Sequence, residues 1–431
     1  MTLPLGLEAW LALDPAGRSA RRAEALEHAE TTKQTHGAYV TTLHHDPAGG
    51  GELAGVPFAV KDNIDVAGVP TTAGSPLLAD GVAEVDAGVV SALRAAGAVV
   101  IGKTNMHELA LGITSNNTAY GPVRNPHDPD RVAGGSSGGS AVTVALGTVP
   151  FSLGTDTGAS VTLPSSFCGV VGFRPSTGRY PGDGVVMISH TRDTVGVHAR
   201  TVGDVRRVDR VITGSRAAAD LSGLAGVRFG VLRGRFDDID PRAGAVLSAA
   251  LDTLAAAGAE LVDVDLLDDL AVAGEAGLPI VLFETVRLLR SRTPRSFDSV
   301  ASPDVKGIMQ IMVDEPVPAA VYERHRAQRW RLRQAYAEIF QSVDALIAPT
   351  THVLPPLVGE DVTFEHNGRH VPTFATTIRN AAPGTVAGVP MLSLPAGRTE
   401  DGLPVGLTLE GPVFEDPALL AVGEGVERAL L

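Results

Sequence analysis

The sequence predicts an α/β fold, a single large domain whose central mixed, mostly parallel sheet is flanked by helices. Three observations carry this expectation. Apolar segments of strand length alternate with helical patterns along most of the chain, which implies layered α/β architecture. Hydrophobic residues make up 44% of the 431 and aromatic residues only 4%, so the core is built from Ala, Val, Leu and Gly. No internal repeat or long linker divides the chain, so residues 1–431 read as one domain, with 215–360 as its expected variable, substrate-facing region.

In chain order, residues 5–32 space their apolar and alanine positions three and four apart and read as a helix. Residues 46–51 form a loop. Residues 56–60 read as a short buried strand that delivers Lys61 to a strand end, where α/β folds place their chemistry. Residues 85–96 form a helix closed by Gly97, and 98–101 the next strand. Residues 109–130 are loop-rich, punctuated by Asn116, Asn117, Pro122, Pro126 and Pro129. A helix over 141–147 starts at a Gly/Ser turn, and 163–172 read as a turn and a strand. Strands are expected at 227–231 and 261–264, around a helix that Asp240-Pro241 opens and that runs through Ala257. Residues 270–290 and 318–340 are mostly helical. The Arg-rich part, 322–336, reads as a solvated face and not as a basic binding patch. Residues 345–350 end a strand, and 389–394, 406–410 and a final helix over 417–430 close the chain.

Charge and composition exclude several function classes. A net charge of −14 argues against nucleic acid and anionic membrane surfaces as partners. Residues 1–30 lack the basic start and apolar run of a signal peptide, and no apolar stretch reaches the roughly 18 residues of a membrane span. The single cysteine, Cys168, rules out an intramolecular disulfide and fits a reducing, cytoplasmic setting. The twelve histidines show neither His-Glu-x-x-His nor Cys/His ligand spacing, so no metal is expected.

The chemistry concentrates in residues 134–179. This stretch opens Gly134-Gly135-Ser136-Ser137-Gly138-Gly139-Ser140 and crosses an apolar segment. It then turns again at Gly154-Thr155-Asp156-Thr157-Gly158-Ala159-Ser160. Glycine lets backbone N–H groups crowd around one point, which suits an oxyanion hole. A serine nucleophile beside it needs a base. Lys61 is a candidate, because burial can strip a lysine of its proton near neutral pH but hardly an arginine. The chain holds only Lys33, Lys61, Lys103 and Lys306, yet keeps Lys61 at the end of an apolar strand. Lys103 also follows an apolar strand, and the residues alone do not separate the two.

Three short matches compete. Gly97 to Thr104 satisfies the P-loop pattern, but a helix precedes it and its interior is a strand, so it is rejected. Gly134-Gly135-Ser136-Ser137-Gly138 satisfies the nucleophile elbow of α/β-hydrolases. That fold needs a downstream acid and histidine, and none of His190, His198, His325, His352, His366 and His370 is singled out by its setting. Asp156-Thr157-Gly158-Ala159 resembles an aspartic-protease turn but has no second copy.

The two turns, Pro164-Ser165-Ser166-Phe167-Cys168-Gly169-Val170-Val171-Gly172-Phe173-Arg174-Pro175 and the Lys61 segment together resemble the amidase signature family, over nearly the whole chain. The resemblance implies a Ser–cis-Ser–Lys triad, with Ser160 as nucleophile, Ser136 as bridging serine after a cis peptide, and Lys61 as base. It implies oxyanion donors at Thr157, Gly158, Ala159 and Ser160, substrate contacts at Gly134, Gly135, Thr114 and Asn380, a small-molecule amide substrate, no cofactor, and a homodimer. Asn105 to Leu109, Gly112 to Asn117, Gly172 to Arg179, Ile188 to Thr194 and Arg379-Asn380 are similar to mandelamide and indoleacetamide hydrolases, which implies a primary amide of an aryl-acetic acid.

The chain also departs from the family pattern. Ala159 stands where the family turn has its second glycine, and Thr162 replaces a cationic residue. Met187, Val197 and His198 sit where relatives carry Pro or Met. These changes keep other classes open: an acyltransferase or synthetic enzyme on the same acyl-enzyme chemistry, a catalytically degenerate binding protein, or an amidotransferase subunit.

Overall fold

Buried on both faces, a strand can be apolar at every position. Pro57–Lys61, Val99–Thr104 and Phe151–Asp156 are buried at every residue and mostly apolar, and their buried polar residues include Lys61, Lys103 and Asp156. The structure is a computed structural model that describes residues 6–45, 50–216, 218–266 and 268–431. Its main sheet has 11 strands, in the order Tyr39–Thr42, Val99–Thr104, Pro57–Lys61, Phe151–Asp156, Thr194–Ala199, Val171–Arg174, Met391–Arg398, Pro404–Glu410, Ala345–Pro349, Arg228–Leu232 and Glu260–Val264. Helices flank it.

The expected mixed sheet is present, but its balance differs from the expectation. Parallel pairing is confined to the two wings, with four parallel pairings. The other six are antiparallel, five of them in the unbroken run from Phe151–Asp156 to Ala345–Pro349. The alternation rule assumes helical crossovers. Met391–Arg398 and Pro404–Glu410, by contrast, pair directly as a hairpin.

Most expected elements appear within a few residues of their places. The first expected helix is two, Leu7–Leu11 and Pro15–His36, because Asp14 accepts from Gly17 N and Pro15 starts a new helix. Leu5, and residues 46–49 of the expected loop, lie outside the described residues. Residues 163–172 are a short helix, Thr162–Cys168, before the strand. Pro164 sits in its first turn, where a missing N–H costs nothing, and Gly169 closes it in the left-handed region. Phe151–Asp156, Thr194–Ala199, the helices Val202–Thr213 and Pro303–Asp314, and the hairpin Thr363–His366/Arg369–Pro372 are additional to the elements expected.

This frame brings the chemistry together. Pro57–Lys61 and Phe151–Asp156 run parallel as neighbours, with Val60 opposite Leu153 and Phe58 stacked on Phe151 at 5.3 Å between centroids. Lys61 and Asp156 therefore end side by side on one edge of the sheet.

Candidate active site

Two turns meet at this edge. The first leads into the helix Gly138–Ala145 and the second into Thr162–Cys168. Ser137 N donates to Ser160 O at 3.2 Å, and Ser137 Oγ donates to Thr155 O at 3.1 Å, which ties the turns together. The glycines of the first turn answer to close packing. Gly134 has φ 79°, and a Cβ there would lie 2.9 Å from Pro164 Cα. A Cβ on Gly139 would meet two backbone oxygens, of Ala38 and Asn105, at 2.4 Å. The peptide between Gly135 and Ser136 is cis.

Lys61 is fully buried. Its Nζ lies 2.8 Å from Ser136 Oγ, 2.8 Å from Thr155 Oγ1 and 3.3 Å from Thr155 O. Asn63 Nδ2 also donates to Thr155 Oγ1, at 3.0 Å. All Lys61 partners are neutral oxygens. Burial brings its pKa down to about 7, against the pull of Asp156 and Asp193 farther off. Ser160 faces a cavity and is 7% exposed. Among the described residues no hydrogen bond joins Ser160 Oγ to Ser136 Oγ. The backbone bond from Ser137 is what holds the two serines near each other.

The second turn is fixed by a buried carboxylate. Asp156 accepts from Ala159 N at 3.1 Å and from Val161 N at 2.7 Å, and faces Arg174 Nε at 3.3 Å. Of the four expected oxyanion donors, Ala159 N–H is thus already engaged. The N–H groups of Thr157, Gly158 and Ser160 have no acceptor among the described residues. Ala159 adopts φ 132°, a conformation that disfavours a residue with a Cβ. Thr162 is buried and donates to Ala159 O at 3.4 Å.

Two buried guanidiniums flank the turn. Arg192 Nη2 donates to Thr157 O at 2.9 Å and its Nη1 to Gly277 O at 2.7 Å. Arg174 Nη2 donates to Arg192 O at 2.9 Å. Burial, with Arg174 nearby, lowers the pKa of Arg192 to about 10. Burial raises Asp193 to about 6 although it accepts from Thr157 Oγ1 at 2.6 Å. Glu284 holds this segment from behind, accepting from Ser189 Oγ at 2.5 Å, Thr191 Oγ1 at 2.9 Å and Tyr322 OH at 2.6 Å.

Sequence reasoning missed these supporting residues. Arg192 and Asp193 lay in a segment singled out only for resemblance. Glu284 had a signal of its own, a lone carboxylate after the apolar run Ile280-Val281-Leu282-Phe283. The side chains of two of the expected substrate contacts bond other parts of the protein. Thr114 Oγ1 donates to Asp361 Oδ1 at 2.6 Å, and Asn380 Nδ2 donates to Arg235 O at 2.8 Å and Pro349 O at 3.2 Å. Neither lines the cavity, and nor do Gly134 and Gly135. Short polar side chains in loops bond the backbone as readily as a ligand.

The cavity holds about 520 Å³ and is lined by Thr157, Gly158 and Ser160 at one end. The rest of its wall is largely apolar, including Leu111, Ile113, Leu278, Val281, Met312, Phe374 and Ile378. Among the described residues its only charged ones are Arg192 and Arg379. A second cleft of about 540 Å³ beside Arg290 and Lys306 contains none of the residues above. Among the described residues, no helix is long and apolar enough to cross a membrane.

The family model for amidases matches residues 23–420. An indoleacetamide hydrolase of Agrobacterium vitis is 41% identical over 402 residues, covering 90% of this chain and 85% of that protein. A mandelamide hydrolase of Pseudomonas putida is 38% identical over 423 residues, covering 90% and 81%. A crystal structure of an amidase is similar over 98% of this chain and 99% of that one, with 33% identity and a TM-score of 0.89.

Proposed function

The chain belongs to the amidase signature family and is an amide-hydrolysing enzyme, and from that premise we propose that it cleaves a small primary amide of an aryl-acetic type acid through an acyl-enzyme on Ser160. The observation that carries the mechanism is a buried lysine whose pKa falls to about 7 and whose Nζ lies 2.8 Å from Ser136 Oγ. Neutral Lys61 takes a proton from Ser136 as Ser136 takes one from Ser160. Ser160 Oγ attacks the amide carbonyl carbon. The N–H groups of Thr157, Gly158 and Ser160 receive the oxyanion, each such donor contributing about 2.7–4 kcal/mol of barrier lowering. The ammonium of Lys61 returns its proton through Ser136 to the leaving nitrogen, and ammonia departs. Water then attacks the acyl carbon and passes a proton along the same path to Lys61; the bond from Ser160 Oγ to the acyl carbon breaks, Ser160 Oγ regains that proton through Ser136, and the acid leaves. Arg174 and Arg192 place positive charge beside the turn where Thr162 supplies none.

The acyl group is read from the cavity. A largely apolar wall, with no carboxylate among the described residues, favours an aromatic or aliphatic acyl group and penalises a cationic one. That agrees with relatives named indoleacetamide and mandelamide hydrolase. Homodimer assembly and a reducing, cytoplasmic setting, in which the buried free thiol of Cys168 stays unpaired, belong to the same proposal.

Ammonia release from phenylacetamide, indole-3-acetamide and lysinamide tests the reading. The aryl-acetic amides should exceed lysinamide in kcat/KM by about 10²-fold. Preference for the cationic amide, or no ammonia from any aryl-acetic amide, would refute the substrate assignment.

A further inference from the structure

Away from the serine turns, three separated segments converge. Asp238, His352 and His366 each present one ligand atom there, and these atoms all lie within 4.8 Å of one another. Both histidines are buried, and their rings meet edge to face at 5.4 Å. The Asp238 side chain is 39% exposed, which leaves an entry from solvent. His366 Nε2 is 3.7 Å from Asp238 Oδ2 and 2.6 Å from the Asp238 carbonyl oxygen. His352 Nδ1 is buried with no hydrogen-bond partner among the described residues. Buried ring nitrogens ordinarily have one, so this atom calls for a ligand.

We propose that Asp238, His352 and His366 bind a divalent transition metal of the Zn²⁺ or Co²⁺ type. Two imidazoles and one carboxylate suit these borderline ions and not Mg²⁺ or Ca²⁺, which prefer all-oxygen shells. Zinc bonds of about 2.0–2.1 Å place tetrahedral ligand atoms roughly 3.3 Å apart, so the cluster must contract slightly. Rotation of the partly exposed Asp238 side chain supplies that contraction. Three protein ligands leave the fourth position to water. Two contacts within the cluster have to yield to the ion, Asn367 Nδ2 to Asp238 Oδ1 at 3.0 Å and His366 Nε2 to the Asp238 carbonyl oxygen at 2.6 Å, and one cation competes with it. Arg369 Nη2 donates to Asp238 Oδ2 at 2.5 Å and has to swing away, which its 61% exposure permits. His366 ends one strand of the hairpin whose other strand, Arg369–Pro372, leads directly into the helix Thr373–Ile378. That helix gives Phe374, Ala375 and Ile378 to the cavity wall. The metal therefore fastens the outer wall of the cavity and takes no part in bond cleavage.

The test uses tag-free, chelator-treated full-length protein titrated with Co²⁺ as a visible probe, with Zn²⁺ by calorimetry as competitor. One equivalent of Co²⁺ should bind with the d–d absorption of a near-tetrahedral site, and Zn²⁺ should bleach it. His366→Gln and Asp238→Asn should abolish that absorption while the melting temperature without metal stays near that of the parent protein. Arg369→Ala lies at the surface and frees the carboxylate, so it should tighten Co²⁺ binding by about fivefold. No stoichiometric binding, or binding that is the same in Asp238→Asn, His366→Gln and Arg369→Ala as in the parent protein, would overturn the proposal.

Discussion

Lys61 and Lys103 make a natural comparison. Both are buried and lie at the ends of neighbouring parallel strands, with Val60 opposite Lys103 in the register. Burial lowers both pKa values. Their partners differ. Lys103 Nζ faces the Asp62 carboxylate at 3.4 Å and donates to Pro70 O and Thr71 Oγ1, both at 3.2 Å. Lys61 meets hydroxyls and a carbonyl only. A carboxylate in contact favours the charged ammonium, whereas hydroxyls let the amine go neutral. The same residue on the same scaffold thus meets a carboxylate in one place and, in the other, the neutral oxygens that the proposed base needs.

The largest effects should fall on the Lys61 side. Ser160→Ala and Lys61→Ala should each lower kcat by about 10⁴-fold or more with the fold intact by circular dichroism. Lys61→Arg should be equally inactive, since a guanidinium does not deprotonate near neutral pH. Lys103→Ala should act on stability instead, costing about 3–5 kcal/mol in urea denaturation because Asp62 is left buried and unpaired. The double variant Lys103→Met with Asp62→Asn should recover most of that loss. If Lys103→Ala were stable but inactive, the two lysines would have been assigned the wrong way round.

The pH profile sharpens the same contrast. A base must be neutral to work, and Lys61 gains its proton as pH falls through about 7. Therefore kcat/KM should rise with pH, inflect near 7 and level off above it, falling about tenfold per unit on the acid side. A profile flat from pH 5 to 9 would count against Lys61. Smaller again, Thr155→Val removes the hydroxyl that Lys61 and Asn63 share and should lower kcat by about tenfold with little change in KM. The smallest effect is expected at Ala159. Glycine there relieves the strain of φ 132° and should add about 1 kcal/mol of stability, read by urea denaturation.

The two lysines also show what could be read from sequence. That Lys61 meets Ser136 and that the turns of Ser136 and Ser160 meet was legible because a long ordered motif surrounds them. The strain at Ala159 was legible as a condition, since the departure from glycine names the backbone that glycine would serve. Periodicity could not separate Lys61 from Lys103, because it reports burial and not the identity of a partner across the sheet. It also overcounted parallel pairs, since a hairpin and a crossover leave the same alternation of strands in the text. Thr114 and Asn380 were placed near substrate by resemblance, and the structure spends their side chains on Asp361, Arg235 and Pro349. The Asp238, His352 and His366 cluster had no sequence signal, because its members come from three segments that only the fold brings together.

The most direct test of the central claim does not need the substrate. The protein is incubated with a serine-reactive fluorophosphonate, and intact and peptide masses are read beside Ser160→Ala, Lys61→Ala and the double Lys103→Met/Asp62→Asn. A single adduct on Ser160 is expected, absent in Ser160→Ala, slowed in Lys61→Ala and unchanged in the Lys103/Asp62 double variant. An adduct on Ser136, or none on the folded protein, would contradict the account.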